Sequence, residues 1–136
     1  MNILAIGDIF GLCGVEHTEA VLKGIIQDEN IDFCIANGEN ASGVGMTQRD
    51  YDRLTDAGVD VFTMGNHTFG KQDIFKLFEQ ENNILRPANY PDDVPGYISY
   101  KLPDFFSKDA EHIACFCFVV HISRMKQSFC RNTAAV

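Results

Sequence analysis

The chain has 136 residues, of which 46% are apolar and 11 are Phe, enough to build one globular domain with a core. Its formal charge of −8, with only 11 Lys and Arg, excludes a groove for a long polyanion but leaves room for a single nucleotide. No basic residue precedes the apolar run at Ile3 and no run reaches membrane-spanning length, so the expected location is the cytoplasm. The five cysteines include no CxxC pair, which points to reduced, mostly buried thiols rather than a disulfide framework or a zinc knuckle.

In chain order, residues 3–6 form a short apolar run closed by Gly7-Asp8, a predicted strand. Residues 16–29 follow with Ala20, Val21, Leu22, Ile25 and Ile26 at helical spacing. A second strand is predicted over 31–36, ending at Asn37-Gly38. Thr47-Gln48-Arg49-Asp50 then reads as a capping box in its Asp variant, ahead of a helix with Tyr51, Leu54 and Ala57 inward and Gly58 at its end. The third strand spans 59–64 and stops at Gly65-Asn66-His67; Ile74, Phe75, Leu77 and Phe78 mark a third helix. A short fourth strand at Ile84 and Leu85 runs into Arg86-Pro87-Ala88-Asn89.

This alternation predicts an α/β fold with right-handed crossovers and a parallel sheet covered on both faces. Asp8, residues 37–40, Asn66-His67 and Asn89 each follow a different apolar run, so they are expected along the sheet's carboxyl edge, where open α/β sheets bind ligands. The recognisable βαβαβαβ pattern occupies residues 1–96. Residues 97–136 form a divergent tail in which 97–102 reads as a strand, 104–111 is polar and 113–122 is strongly apolar.

Each cluster has a plain reading beside the chemical one. Gly7-Asp8 is ordinary turn chemistry as well as a carboxylate placed for a ligand. Residues 37–40 make a polar loop with an Asx turn, or a bridging carboxylate, Glu39, beside the neutral amide of Asn40. A loop histidine is commonly just solvated, whereas His67, directly after Asn66, is also placed to give a proton to a leaving oxygen. The glycines at 7, 11 and 14 miss the dinucleotide-binding spacing, and Asp8 would repel a pyrophosphate.

Taken together, Gly7-Asp8-x-x-Gly11, residues 37–41, Gly43-x-Gly45-Met46-Thr47, residues 64–68 and residues 86–91 resemble, in order, the bacterial YmdB-type branch of the calcineurin-like metallophosphoesterases. The resemblance runs from about Asn2 to Gly96. It implies a layered phosphoesterase sandwich with two divalent metal ions, iron or manganese, hydrolysing small phosphodiesters such as 2′,3′-cyclic nucleotides. By position, Asp8 and Asn40 would hold one metal, Asn66 the other, Glu39 would bridge them, and His67 would be the general acid. Where the wider superfamily has Asp-x-His, this chain has Asp8-Ile9-Phe10.

Members of that family run well past this length and draw further histidine ligands from their second half. Here the remaining histidines are His17, His112 and His121, and none matches a family motif. Three of the five cysteines fall after residue 114. This change of character after Gly96 is what a frameshift or premature stop would produce. The alternative to an active phosphoesterase is therefore a truncated domain with weak metal or phosphate binding and no turnover. A homo-oligomer is the partner expected if apolar strand faces stay uncovered.

Overall fold

The computed structural model describes residues 2–101 and the backbone of His112–Ala114. The expectations placed on His121, on the polar stretch 104–111, on most of the apolar run 113–122 and on Cys115, Cys117 and Cys130 lie outside the described residues.

Four parallel strands, β1 (Ile3–Asp8), β2 (Phe33–Asn37), β3 (Val61–Thr63) and β4 (Ile84–Leu85), pair in the order β1-β2-β3-β4. Between them run α1 (Gly11–Asp28), α2 (Gln48–Ala57) and α3 (Asp73–Gln80). Two short strands, β5 (Ser99–Lys101) and β6 (His112–Ala114), form an antiparallel pair. Among the described residues, no helix is long and apolar enough to cross a membrane.

The predicted alternation is present, with one difference in coverage. The sheet was expected to be covered on both faces; among the described residues all three helices lie on one. Strand side chains alternate, and Leu4, Ile6, Cys34, Ala36, Phe62 and Ile84 share a single apolar cluster with Val15 and Leu22 of α1, Leu54 of α2 and Leu77 of α3. The cause is the strand order: β1 to β4 add in one direction without reversing, and right-handed crossovers in a constant direction stack every helix on the same side. The opposite face is met near Phe33 by the Tyr100 ring, and Tyr97 bridges to Leu85 at the β4 edge of the sheet. Toward β1 that face is left uncovered by the described residues, with Ile3 43% exposed.

The capping box forms as expected. The Thr47 side chain accepts from the Asp50 amide, the Asp50 carboxylate accepts from the Thr47 amide, and Gly58 ends α2 at φ +117°. Helix α1 begins at Gly11, five residues earlier than its pattern indicated; the Phe10 cap and Leu12 are 60% and 57% exposed and add nothing to the inward stripe that marked it. Cys34 is buried on the helix side of β2, and burial, with Asp60 alongside, pushes its thiol up to about 11. It is a structural thiol.

Candidate functional site

The site is assembled at the carboxyl ends of β1, β2 and β3, and each strand delivers its side chains by a different local device. On β1 the register slips between Ile6, opposite Ala36, and Asp8, opposite Asn37. Simple alternation would send Asp8 to the helix side with Leu4 and Ile6. The extra residue, Gly7, turns it outward, the usual work of a bulge beside a site. The outgoing chain is then fixed by Ile9 N–H to the Asn37 carbonyl (3.0 Å) and Gly11 N–H to the Asn40 carbonyl (2.9 Å).

On β2, Asn37 closes an Asx turn by accepting the Glu39 amide at 3.2 Å, so the polar-loop reading of this segment is correct as local structure. The same turn presents Glu39 and Asn40. The loop beyond folds back onto them, with Gly43 N–H on the Asn40 carbonyl (2.7 Å) and Gly45 N–H on the Glu39 carbonyl (2.6 Å). Gly45 has φ +78°, and a Cβ there would strike the backbone of Gly70 and Lys71 in the next loop. The two loops that carry the site therefore touch backbone to backbone.

After β3 the chain turns through residues 65–70. A Cβ at Gly65 would fall on the Glu39 carboxylate, so only glycine lets Glu39 lie there. That carboxylate also accepts the His67 amide at 3.2 Å. Asp8, Glu39, Asn40, Asn66 and His67 all line one cleft of about 480 Å³, together with Asn37, Thr63 and the open-face residues Ala5 and Ile35. Asn89, expected with them, is exposed and does not line the cleft. The cause is a turn at Pro87, whose carbonyl accepts the Tyr90 amide at 3.2 Å. Tyr90 comes to the site instead, its hydroxyl 3.1 Å from the Gly65 carbonyl. In the sequence Tyr90 stood only as part of the 86–91 motif, with no role of its own, and Thr63 only as a strand residue.

Hydrogen-bond chemistry fixes the polarity of the central network. The Asp8 carboxylate can only accept, so the Asn40 group 3.0 and 2.9 Å from its oxygens is the amide nitrogen. The Asn40 oxygen then faces His67 Nδ1 at 2.5 Å, and that nitrogen must carry the proton. Nε2 is left as the ring atom available to a ligand.

As donors, these residues offer two carboxylates, two amide oxygens and one imidazole, an oxygen-rich set that suits a hard divalent cation. Among the described residues, no three side chains of His, Cys, Asp and Glu gather closely enough to hold a metal ion by themselves. A cation at this place therefore draws on amide oxygens and water. Asn40 can share one with Asp8 only if its amide turns over, because its nitrogen now faces that carboxylate.

The fold and the site define an α/β protein that gathers carboxylate, amide and imidazole groups at the carboxyl edge of a parallel sheet. The chain belongs to the YmdB-like protein family, whose model matches residues 4–127, past the point at Gly96 where the motif likeness ends. It is 40% identical over 97 residues to the 2′,3′-cyclic-nucleotide 2′-phosphodiesterase of Bacillus subtilis, an alignment covering 71% of this chain and 37% of that protein. The chain thus spans little more than a third of that relative's length. Among solved structures it is similar to a hypothetical protein from Thermus thermophilus (TM-score 0.71, 38% identity, 76% of this chain and 40% of that one). It is also similar to a Mycoplasma pneumoniae phosphatase (TM-score 0.66, 26% identity, 74% and 38%).

Proposed function

We propose that the cleft is a phosphodiesterase site for small phosphodiesters, 2′,3′-cyclic nucleotides in particular, with Asp8, Glu39, Asn40 and Asn66 as ligands to divalent metal and His67 as general acid. One observation carries this reading: all five residues, from three separate strand ends, line a single cleft. The activity named for the B. subtilis relative supplies the substrate class.

In this reading Asp8 and Glu39 contribute the negative charge that holds cations, and the amides of Asn40 and Asn66 add oxygen donors without adding charge. Bound divalent metal supplies electrophilic stabilisation of the phosphate oxygens and a more acidic water. The chain's own contribution is orientation and proton transfer. With the Asn40 amide turned over to give its oxygen to a cation, its nitrogen would donate to His67 Nδ1, leaving the ring proton on Nε2 to pass to the departing ribose oxygen. The net charge of −8 favours a small, metal-screened anion over an extended nucleic acid.

A second reading has its own support in the donor count: with two carboxylates and no cluster of three His, Cys, Asp or Glu side chains among the described residues, the chain binds cation or phosphate weakly and turns nothing over. Metal bound per chain, measured beside hydrolysis of bis(p-nitrophenyl) phosphate with added manganese, separates the two. The phosphodiesterase reading expects metal-dependent turnover that falls by about a hundredfold or more in His67→Ala. Folded protein with neither bound metal nor turnover contradicts it.

A further inference from the structure

The Gly65 carbonyl receives three donors: the Thr68 amide at 3.1 Å, the Thr68 hydroxyl at 2.6 Å and the Tyr90 hydroxyl at 3.1 Å. A carbonyl oxygen has two lone pairs, so this group is held from more directions than it needs. The peptide it belongs to is the Gly65–Asn66 bond. Because that unit is planar, fixing its oxygen also fixes the Asn66 amide and the start of the turn that presents Asn66 and His67. The donors have different origins. Thr68, fully buried, belongs to the turn itself, whereas Tyr90 reaches in from the loop after β4, 25 residues away.

Tyr90 is itself aimed. Its ring stacks on Phe69 with centroids 5.9 Å apart and planes 27° from parallel, and Phe69 in turn packs against Phe75 and Phe78 of α3. Phe69 lies in the same turn as His67. The ring is therefore seated by one part of the turn while its hydroxyl holds another. The Glu39 carboxylate occupies the place a Gly65 side chain would take, so the turn is also packed from the β2 loop.

We infer that Tyr90 is a positioning residue for Asn66 and His67, acting through the Gly65 carbonyl. Its effect on catalysis rests on the phosphodiesterase reading; its effect on the turn does not. The hydroxyl limits the orientations of the Asn66–His67 segment, and the aromatic stack keeps the hydroxyl in place.

Tyr90→Phe tests this with little disturbance, since it keeps the stacked ring and removes the hydroxyl that meets the Gly65 carbonyl. On the 136-residue protein, thermal unfolding and ¹H–¹⁵N spectra are compared with wild type, and bis(p-nitrophenyl) phosphate hydrolysis is measured in parallel. The expected result is a nearly unchanged melting temperature, with exchange broadening or displacement confined to the amides of Asn66 and His67 and the Asn66 side-chain NH₂. Where wild type turns over, kcat falls about tenfold while KM holds within about twofold. Unchanged Asn66 and His67 signals overturn the inference, as does a Tyr90→Phe protein that fails to fold, because the hydroxyl would then be holding the fold and not the turn. If wild type hydrolyses nothing, the phosphodiesterase reading fails by that measurement and the spectra still decide the role of Tyr90.

Discussion

Gly65 is the residue at which the site is most tightly constrained, because its missing side chain is the space occupied by the Glu39 carboxylate. Gly65→Ala must either expel that carboxylate or bend the 65–70 turn. Strain of this kind costs about 1–3 kcal/mol in a packed setting. Urea unfolding should register a loss in that range, together with loss of the His67 amide bond to Glu39 as faster hydrogen exchange at that amide. Wild-type stability and protection in Gly65→Ala would mean that the carboxylate is free to leave. Gly65 itself stood out in the sequence only as a neighbour of Asn66-His67. That its Cα faces Glu39 is a tertiary fact, since residues 39 and 65 belong to different strand ends. The bulge at Gly7 was hidden for a similar reason: a Gly-Asp pair reads equally well as a plain turn.

Among the elements, α2 shows how local chemistry supports the site. Asp50 is buried, and one of its oxygens accepts from the Ser42 hydroxyl, the Thr47 hydroxyl and the Thr47 amide. It thereby fastens the loop that follows Asn40 onto the start of the helix. Burial alone would raise this carboxyl, but the hydrogen bonds from Ser42 and Thr47 outweigh it and hold it below its ordinary value of 3.8. A carboxyl lowered in the folded state adds stability that is full above its unfolded value and is lost as pH falls through the folded one. Asp50→Asn should therefore be less stable than wild type at neutral pH, and the gap should narrow as pH drops below 3.8, as followed by urea unfolding at several pH values. A gap independent of pH would show that the Asp50 charge is not what holds the loop. This element was readable in advance because Thr47, Asp50, Tyr51, Leu54, Ala57 and Gly58 each carry a local signal for cap, inner face or stop. The first turn of α1 was not, since Phe10 and Leu12 face outward there.

For the whole molecule, the sequence conveyed the alternation of strands and helices and which loops share an edge, because each polar cluster directly follows an apolar run. It did not convey the order of the strands. Among the described residues that order puts all three helices on one face and leaves the β1 side of the other uncovered beside the cleft, where Ala5 and Ile35 line it. Nor did it reveal that Tyr90, in place of Asn89, turns in toward the Asn66–His67 segment, because a turn at Pro87 decides which side chain faces inward. In the phosphodiesterase reading, five residues from three strand ends act together on a phosphodiester. The direct test is hydrolysis of 2′,3′-cyclic AMP by the folded 136-residue chain with manganese, wild type against His67→Ala. Metal-dependent opening of the cyclic phosphate is expected of wild type, with a loss of about a hundredfold or more in the variant. Folded wild-type protein that leaves the cyclic nucleotide intact, or a His67→Ala protein that opens it at the same rate, would contradict that reading.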